Sequence, residues 1–236
     1  MTEPASGPAE FDRYAEEYDA ALTQGLSVSG EDKNYFAHGR IAFLADCLAE
    51  MPNGKPHPSV LDFGCGTGSA TPFLFHLLPA ASVLGVDVSP GSLAVARREH
   101  GASGAQFLLP GKCPPQGDLD LAFCNGVFHH IPPAERPAAV DYVFGSLRPG
   151  GLFAFWENHW ANPGTRYVMS RCPFDGDAVP LTPSEARRLL QTSGFQILRT
   201  DFLFIFPSVL SALRFLEPRF SRLPLGTQYQ ILCRKP

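Results

Sequence analysis

The stretch "SVLDFGCGTGSA", Ser59 to Ala70, decides the fold. An apolar run carries an acid at Asp62 and is followed by glycines at 64, 66 and 68. A short apolar run bounded by turn signals reads as a buried strand. Glycine at every second position tolerates unusual dihedrals and lets a ligand approach the backbone. In an open α/β sheet such a loop lies beyond the carboxyl ends of the strands, where nucleotide-like ligands bind. The helix that follows adds a partial positive charge at its N-terminus.

Outward from this loop, strand-like and helix-like stretches alternate. "SVLGVDV" gives a second strand ending in Asp87, and "SPGSLAVARREHG" a helix capped by Ser89, opened by Pro90 and closed by Gly101. "TPFLFHLL" reads as a helix with Thr71 as cap, and "TPSEARRLLQTSG" as one with a capping box, Thr182 with Glu185. "AQFLL", "LDLAFCN", "GLFAFWE", "FQILRTDFLF" and "TQYQILCRK" supply further strands. This alternation predicts an α/β fold, a largely parallel sheet with helices on both faces. Residues 1–56 read as an N-terminal helical lid, and 57–236 as the core, with a polar loop over 157–180 and a helical insertion over 207–224.

The charges choose between two cofactors. A dinucleotide fingerprint needs G-x-G-x-x-G/A, whereas the glycines here follow the order acid-x-G-x-G-x-G. A carboxylate at Asp62 repels a pyrophosphate and can pair with an amino group. S-adenosylmethionine has a methionine ammonium and no phosphate, so it fits better. Asp87 can accept both hydroxyls of a ribose.

"VLDFGCGTG", "VLGVDVSPGSLAVAR", "LDLAFCNGVFHHIPP" and "LRPGGLFAFWE" resemble, in order, the motifs of class I S-adenosylmethionine-dependent methyltransferases. The resemblance runs from about Ser59 to Glu157. It implies a Rossmann-like, doubly wound sheet of seven strands with a reversed last hairpin. The cofactor would lie over Asp62, Gly64, Cys65 and Gly66, with Asp87 and Val88 at the ribose and Asn125 and Gly126 at the sulfonium end. Where many relatives carry an acid for the adenine amine, this chain has Lys112–Cys113, whose backbone could substitute.

The methyl acceptor must be met by residues outside those motifs. In the N-terminal unit, Tyr14 and Arg40 are candidates for the cofactor and Tyr18, Tyr35 and His38 for the acceptor. The loop after "GLFAFWE" has no clear period but holds Asn158, Trp160, Asn162, Arg166 and Arg171, which suit a polar or anionic small molecule. His129, His130, Glu157 and His159 are the candidate bases, needed if the acceptor loses a proton. In "PSVLSALRFLEPRFSRLP", Val209, Ala212, Leu213, Leu216 and Phe220 share a helical face. That face would pack over the sheet, or else serve a lipophilic acceptor or shallow membrane contact.

These features predict S-adenosylmethionine-dependent methylation of a small molecule, with oxygen of a natural product or saccharide as the preferred acceptor. The alternatives are N- or C-methylation of a lipophilic acceptor, a non-catalytic S-adenosylmethionine-binding protein, and an NAD(P)-dependent oxidoreductase. A formal charge of −4 over 236 residues gives no basis for nucleic-acid binding. The six cysteines form no CxxC pair, and no carboxylate cluster announces a metal. With no signal-peptide pattern and no uninterrupted apolar span, the expected location is cytoplasmic.

Overall fold

The computed structural model describes residues 29–51, 55–172 and 175–236. Chain order runs α1 (Lys33–Ala49), β1 (Ser59–Phe63), α2 (Thr71–Leu77), β2 (Ser82–Val86), α3 (Pro90–His100), β3 (Gln106–Leu108) and β4 (Leu119–Asn125). It continues through α4 (Arg136–Ser146), β5 (Leu147–Asn158), α5 (Pro163–Met169), α6 (Pro183–Thr192), β6 (Gln196–Leu203), α7 (Glu217–Phe220) and β7 (Gln228–Arg234).

The seven strands lie in the order β3-β2-β1-β4-β5-β7-β6. The pairs from β3 to β5 are parallel, and β7 enters antiparallel between β5 and β6. The mostly parallel sheet with a reversed last hairpin is therefore present. Central strands are apolar on both faces because both are covered; Leu121 to Cys124 of β4 are all buried.

One face packs Ile41, Leu44 and Cys47 of α1 and Leu74 of α2 against Val60, Phe123 and Trp156. The other packs Val140 and Val143 of α4 and Ala186 and Leu190 of α6 against Leu61, Phe153 and Ile231. Much of α1, assigned to the lid from sequence, is thus a layer of the core, and only its first turns reach the ligand end of the sheet.

Local chemistry sets the helix ends. Ser89 Oγ accepts the Ser92 N–H at 3.0 Å, and Thr182 with Glu185 forms the full reciprocal capping box. Gly101 closes α3 in a right-handed conformation, and the left-handed glycine comes at Gly104, after a 3-10 turn. Thr71 is not a cap: the N-cap is Ala70, which makes no side-chain bond, and Thr71 is the buried first helical residue.

Two other expectations change. The loop after β5 contains a helix, α5, capped by Asn162, whose Oδ1 accepts the Gly164 and Thr165 N–H groups. The segment Ser208–Leu216 is a 3-10 helix broken at Leu210, and none of its residues is buried. Val209 and Leu213 of the expected apolar face are 86% and 38% exposed, so that face does not pack over the sheet. Arg214 fixes the segment to the start of α1, 2.8 Å from the Glu31 carboxylate and over the Tyr35 ring at 4.6 Å. No described helix is long and apolar enough to cross a membrane.

Candidate active site

The carboxyl ends of β1, β2, β4 and β5 converge on the glycine loop. Gly64 and Cys65 both donate to the Val86 carbonyl, at 2.7 and 3.1 Å, binding the loop to the end of β2. Asp87 follows that strand; its Oδ2 accepts the Gly66 N–H at 2.8 Å and its Oδ1 the Ser89 N–H at 2.9 Å. The acid therefore holds the loop in shape, and a carboxylate oxygen can still accept a further bond. Gly64, Gly66 and Gly68 all have positive φ, at 71°, 52° and 80°. A Cβ on Gly64 would collide with Val127 at 2.2 Å, whereas one on Gly66 meets nothing within 4 Å. Gly66 faces open space.

Asp62, at the end of β1, is 3% exposed, and its Oδ2 has no hydrogen-bond partner among the described residues. Burial, then the nearby Asp87 charge, pushes its carboxyl up to about 7 against the opposing pull of Arg40. A buried carboxylate in that condition calls for a cationic group. S-adenosylmethionine has a cationic ammonium and no phosphate, so the donor set fits it. Arg40 is itself buried and donates through Nη1 to Gln228 Oε1 at 3.0 Å.

A cleft of about 180 Å³ opens at this end of the sheet, with Arg40, Ser69, Asn125 and Gly126 in its walls. His129, His130 and Asp175 form part of the same lining. Their arrangement begins at Glu157, 1% exposed on β5. Glu157 Oε1 accepts the Phe128 N–H at 2.7 Å, and Oε2 lies 2.7 Å from His129 Nδ1. His129 Nε2 and His130 Nε2 each lie 3.5 Å from Asp175 Oδ1.

Burial alone would depress His129, but the Glu157 charge, its bond to the ring and the Asp175 carboxylate nearby outweigh it and push the imidazole up to about 10. Burial, then the charge of His129, pulls His130 down to about 4. Glu157 stays below the usual carboxylate range because His129 and the two backbone donors overcome its burial. Arg136, at the start of α4, fixes the loop that carries both histidines. Its Nε donates to the Phe128 and Ile131 carbonyls at 3.0 Å, and its Nη2 to the Val179 carbonyl, which also brings in the stretch after Asp175.

Of the residues expected from sequence, Arg40, Asn125, Gly126, His129, His130 and Asn158 line the cleft, with Glu157 directly behind His129. Tyr14 and Tyr18 lie outside the described residues. His159 is turned inward: its Nδ1 meets the Gly226 carbonyl at 2.9 Å, and its ring packs on Phe202 and Tyr229. That placement corrects its expected role as a base to a packing role.

Tyr35 sits under Arg214, and exposed His38 stacks edge-on to Phe73, so neither lines the cleft. Asn162 caps α5, and Trp160 is 43% exposed. Arg166 and Arg171 face solvent, Arg171 over the Tyr167 ring. Neither lines the cleft; Arg166 sits on α5 and Arg171 just beyond its end. Val88 is exposed beside Asp87. Lys112 is exposed too, and the Lys112 and Cys113 N–H groups are spent on their own 3-10 turn. The Cys113 carbonyl is taken by the Tyr142 hydroxyl, which leaves little of that backbone for adenine.

Sequence reading missed Met169, Thr227 and Gln228 as cleft residues. The apolar run that makes β7 a strand says nothing about whether its first residue reaches a cleft.

A family model described as a methyltransferase domain matches residues 61–153. A trans-aconitate 2-methyltransferase of Methylobacterium nodulans is 36% identical over 119 residues, 50% of this chain and 45% of that protein. A demethylmenaquinone methyltransferase of Symbiobacterium thermophilum is 29% identical over 166 residues, 67% of this chain and 60% of that one. The chain thus spans about half the length of several curated relatives it matches. In fold it is similar to an S-adenosylmethionine-dependent methyltransferase, possibly a histamine N-methyltransferase by its description, from Thermotoga maritima. That likeness has a TM-score of 0.65 at 19% identity, over 96% of this chain and 98% of that one. A second such methyltransferase, from Mesorhizobium loti, gives a TM-score of 0.58 at 23% identity, over 80% and 96%. Residues 61–153 thus carry a match to the methyltransferase-domain family, and the chain, with its glycine loop, two strand-end acids and reversed hairpin, has the fold of S-adenosylmethionine-dependent methyltransferases.

Proposed function

We propose that this chain transfers a methyl group from S-adenosylmethionine to an oxygen of a small polar acceptor bound in the cleft. The observation that carries the reading is the array Glu157–His129–Asp175–His130, set in the cleft wall beside Asn125 and Gly126. The cofactor supplies an activated methyl on a sulfonium. The chain's own residues then have three tasks.

Asp62 offers a buried negative charge to the ammonium, and Asp87 keeps Gly66 in the shape that admits the adenosyl group. Glu157 locks the His129 ring, so the cleft presents fixed polar groups to the acceptor. The His130–Asp175 edge would take the proton that an acceptor hydroxyl loses on methylation. An oxygen acceptor is preferred because a tertiary amine would leave that edge without a task. Lys33 and Arg40 in the lining favour an acceptor with anionic character. That preference agrees with the trans-aconitate methyltransferases among the relatives.

The test is transfer of isotopically labelled methyl from S-adenosylmethionine to a panel of organic acids, polyols and phenols, with the product site located by NMR. A methylated oxygen supports the proposal; methylation confined to nitrogen or carbon overturns the acceptor assignment.

A further inference from the structure

We propose that His129 Nε2, His130 Nε2 and Asp175 Oδ1 bind one divalent transition-metal cation in the cleft wall. These three atoms all lie within 4.8 Å of one another. Each imidazole nitrogen is 3.5 Å from the same carboxylate oxygen. A charge-assisted N–H···O bond closes to about 2.7–2.9 Å, so both contacts are long for hydrogen bonds. Two ligands about 2.1 Å from a common tetrahedral ion sit about 3.4 Å apart, which matches both nitrogen–oxygen spacings.

The surroundings follow the same pattern. Glu157 Oε2 holds His129 Nδ1 at 2.7 Å, and Glu157 is itself held by the Phe128 and Asn158 N–H groups. A carboxylate behind an imidazole fixes the tautomer and turns the opposite nitrogen toward a metal. With His129 Nδ1 donating to Glu157, a cation that displaces the proton at Nε2 would join this nitrogen and the Asp175 oxygen as two ligands. Two carboxylates, two neutral imidazoles and one divalent ion sum to zero charge, a condition that suits a buried site. Three protein ligands leave a coordination position for the cleft, as in catalytic rather than structural sites. Two nitrogens and one oxygen select zinc, cobalt or ferrous iron over magnesium, which prefers oxygen throughout.

The cation's binding stands apart from the acceptor reading, but its role rests on that reading: with the cation bound, His130 Nε2 and Asp175 Oδ1 are ligands rather than proton acceptors, and the cation would hold the acceptor oxygen and ease loss of its proton to solvent. The experiment is calorimetric titration of chelator-treated full-length chain with Zn²⁺, Co²⁺ and Mg²⁺, with the visible spectrum of the Co²⁺ form. The expected result is one equivalent of Zn²⁺ or Co²⁺, a tetrahedral Co²⁺ spectrum, and no competition by millimolar Mg²⁺. Asp175→Asn and His130→Gln should each weaken binding at least about tenfold while S-adenosylmethionine affinity stays unchanged. No saturable Zn²⁺ or Co²⁺ binding, or binding unaltered in both variants, overturns the site. Methyl transfer that survives chelation would overturn the cation's role and leave the transferase reading standing.

Discussion

The Asp87 carboxylate accepts the Gly66 N–H at 2.8 Å, joining the end of the second strand to the middle of the glycine loop. A second bond, from the Ser89 N–H, anchors the same carboxylate to the start of α3. Asp87→Ala should therefore loosen the loop as well as remove a ribose acceptor. With hydrogen bonds to charged groups contributing about 1.5–3 kcal/mol, S-adenosylmethionine affinity should fall roughly 10- to 100-fold. Calorimetry measures this directly, and an unchanged dissociation constant would remove Asp87 from the cofactor site.

Asp62 gives a pH dependence with a defined sign. Its carboxyl is raised from 3.8 to about 7, first by burial and then by Asp87, so the folded chain holds a proton that the unfolded chain has released. The stabilisation from that proton is complete below the unfolded value and is lost as pH rises through about 7. At 1.36 kcal/mol per unit the upper limit is about 4 kcal/mol. The ligand-free chain should melt at a higher temperature at pH 6 than at pH 8, and Asp62→Asn should flatten that dependence. S-adenosylmethionine binding should move the other way, strengthening as pH rises through about 7, because the ammonium needs the ionised carboxylate. If Asp62→Asn keeps wild-type affinity at pH 8, the ammonium binds elsewhere.

The two loop glycines should separate folding from binding. Gly66→Ala places its methyl in open space at a strained φ of 52°, costing about 1–2 kcal/mol of stability and obstructing the ligand. Gly64→Ala drives its methyl into Val127 at 2.2 Å and should lower the melting temperature further. Melting curves and cofactor titrations on the pair check this. Equal destabilisation with equal loss of affinity would mean that both positions are purely structural.

Arg166 lies on the outer face of α5, exposed and absent from the cleft lining. Arg166→Ala should leave both cofactor affinity and acceptor turnover within about twofold of wild type, as surface changes generally do. A selective fall in turnover would show that α5 rotates inward when the acceptor binds.

Thr182→Ala removes one half of the capping box at the start of α6. The side chain accepts the Glu185 N–H at 3.3 Å, and the Glu185 carboxylate returns to the Thr182 N–H at 2.8 Å. Loss of stability should be about 1 kcal/mol, read from denaturant unfolding, with no change in cofactor affinity.

What the sequence revealed depended on how local each signal was. The strand before Gly64, the Ser89 cap and the Thr182–Glu185 box were legible because each is decided within a few residues. The paired histidines could be seen as candidates, but not that Asp175, distant in sequence, meets both at 3.5 Å. That contact depends on Arg136 drawing the Phe128 and Val179 carbonyls together, and residue spacing does not encode it. His159 and the two arginines illustrate the converse limit. Polar side chains in one loop look alike in sequence until the helix cap at Asn162 decides which way each one faces.

The reversed hairpin bears on how the chain is made. β7 lies between β5 and β6, so β6 has no sheet neighbour except a strand that leaves the ribosome after it. Until residues 228–234 emerge, the β5 edge carrying Phe153 and Phe155 stays unpaired, and an exposed apolar strand edge invites pairing with another chain. Synthesis of this sheet is therefore finished from the inside, by a strand that must wedge between two already translated, and a pause before that strand is the moment at which aggregation competes with folding.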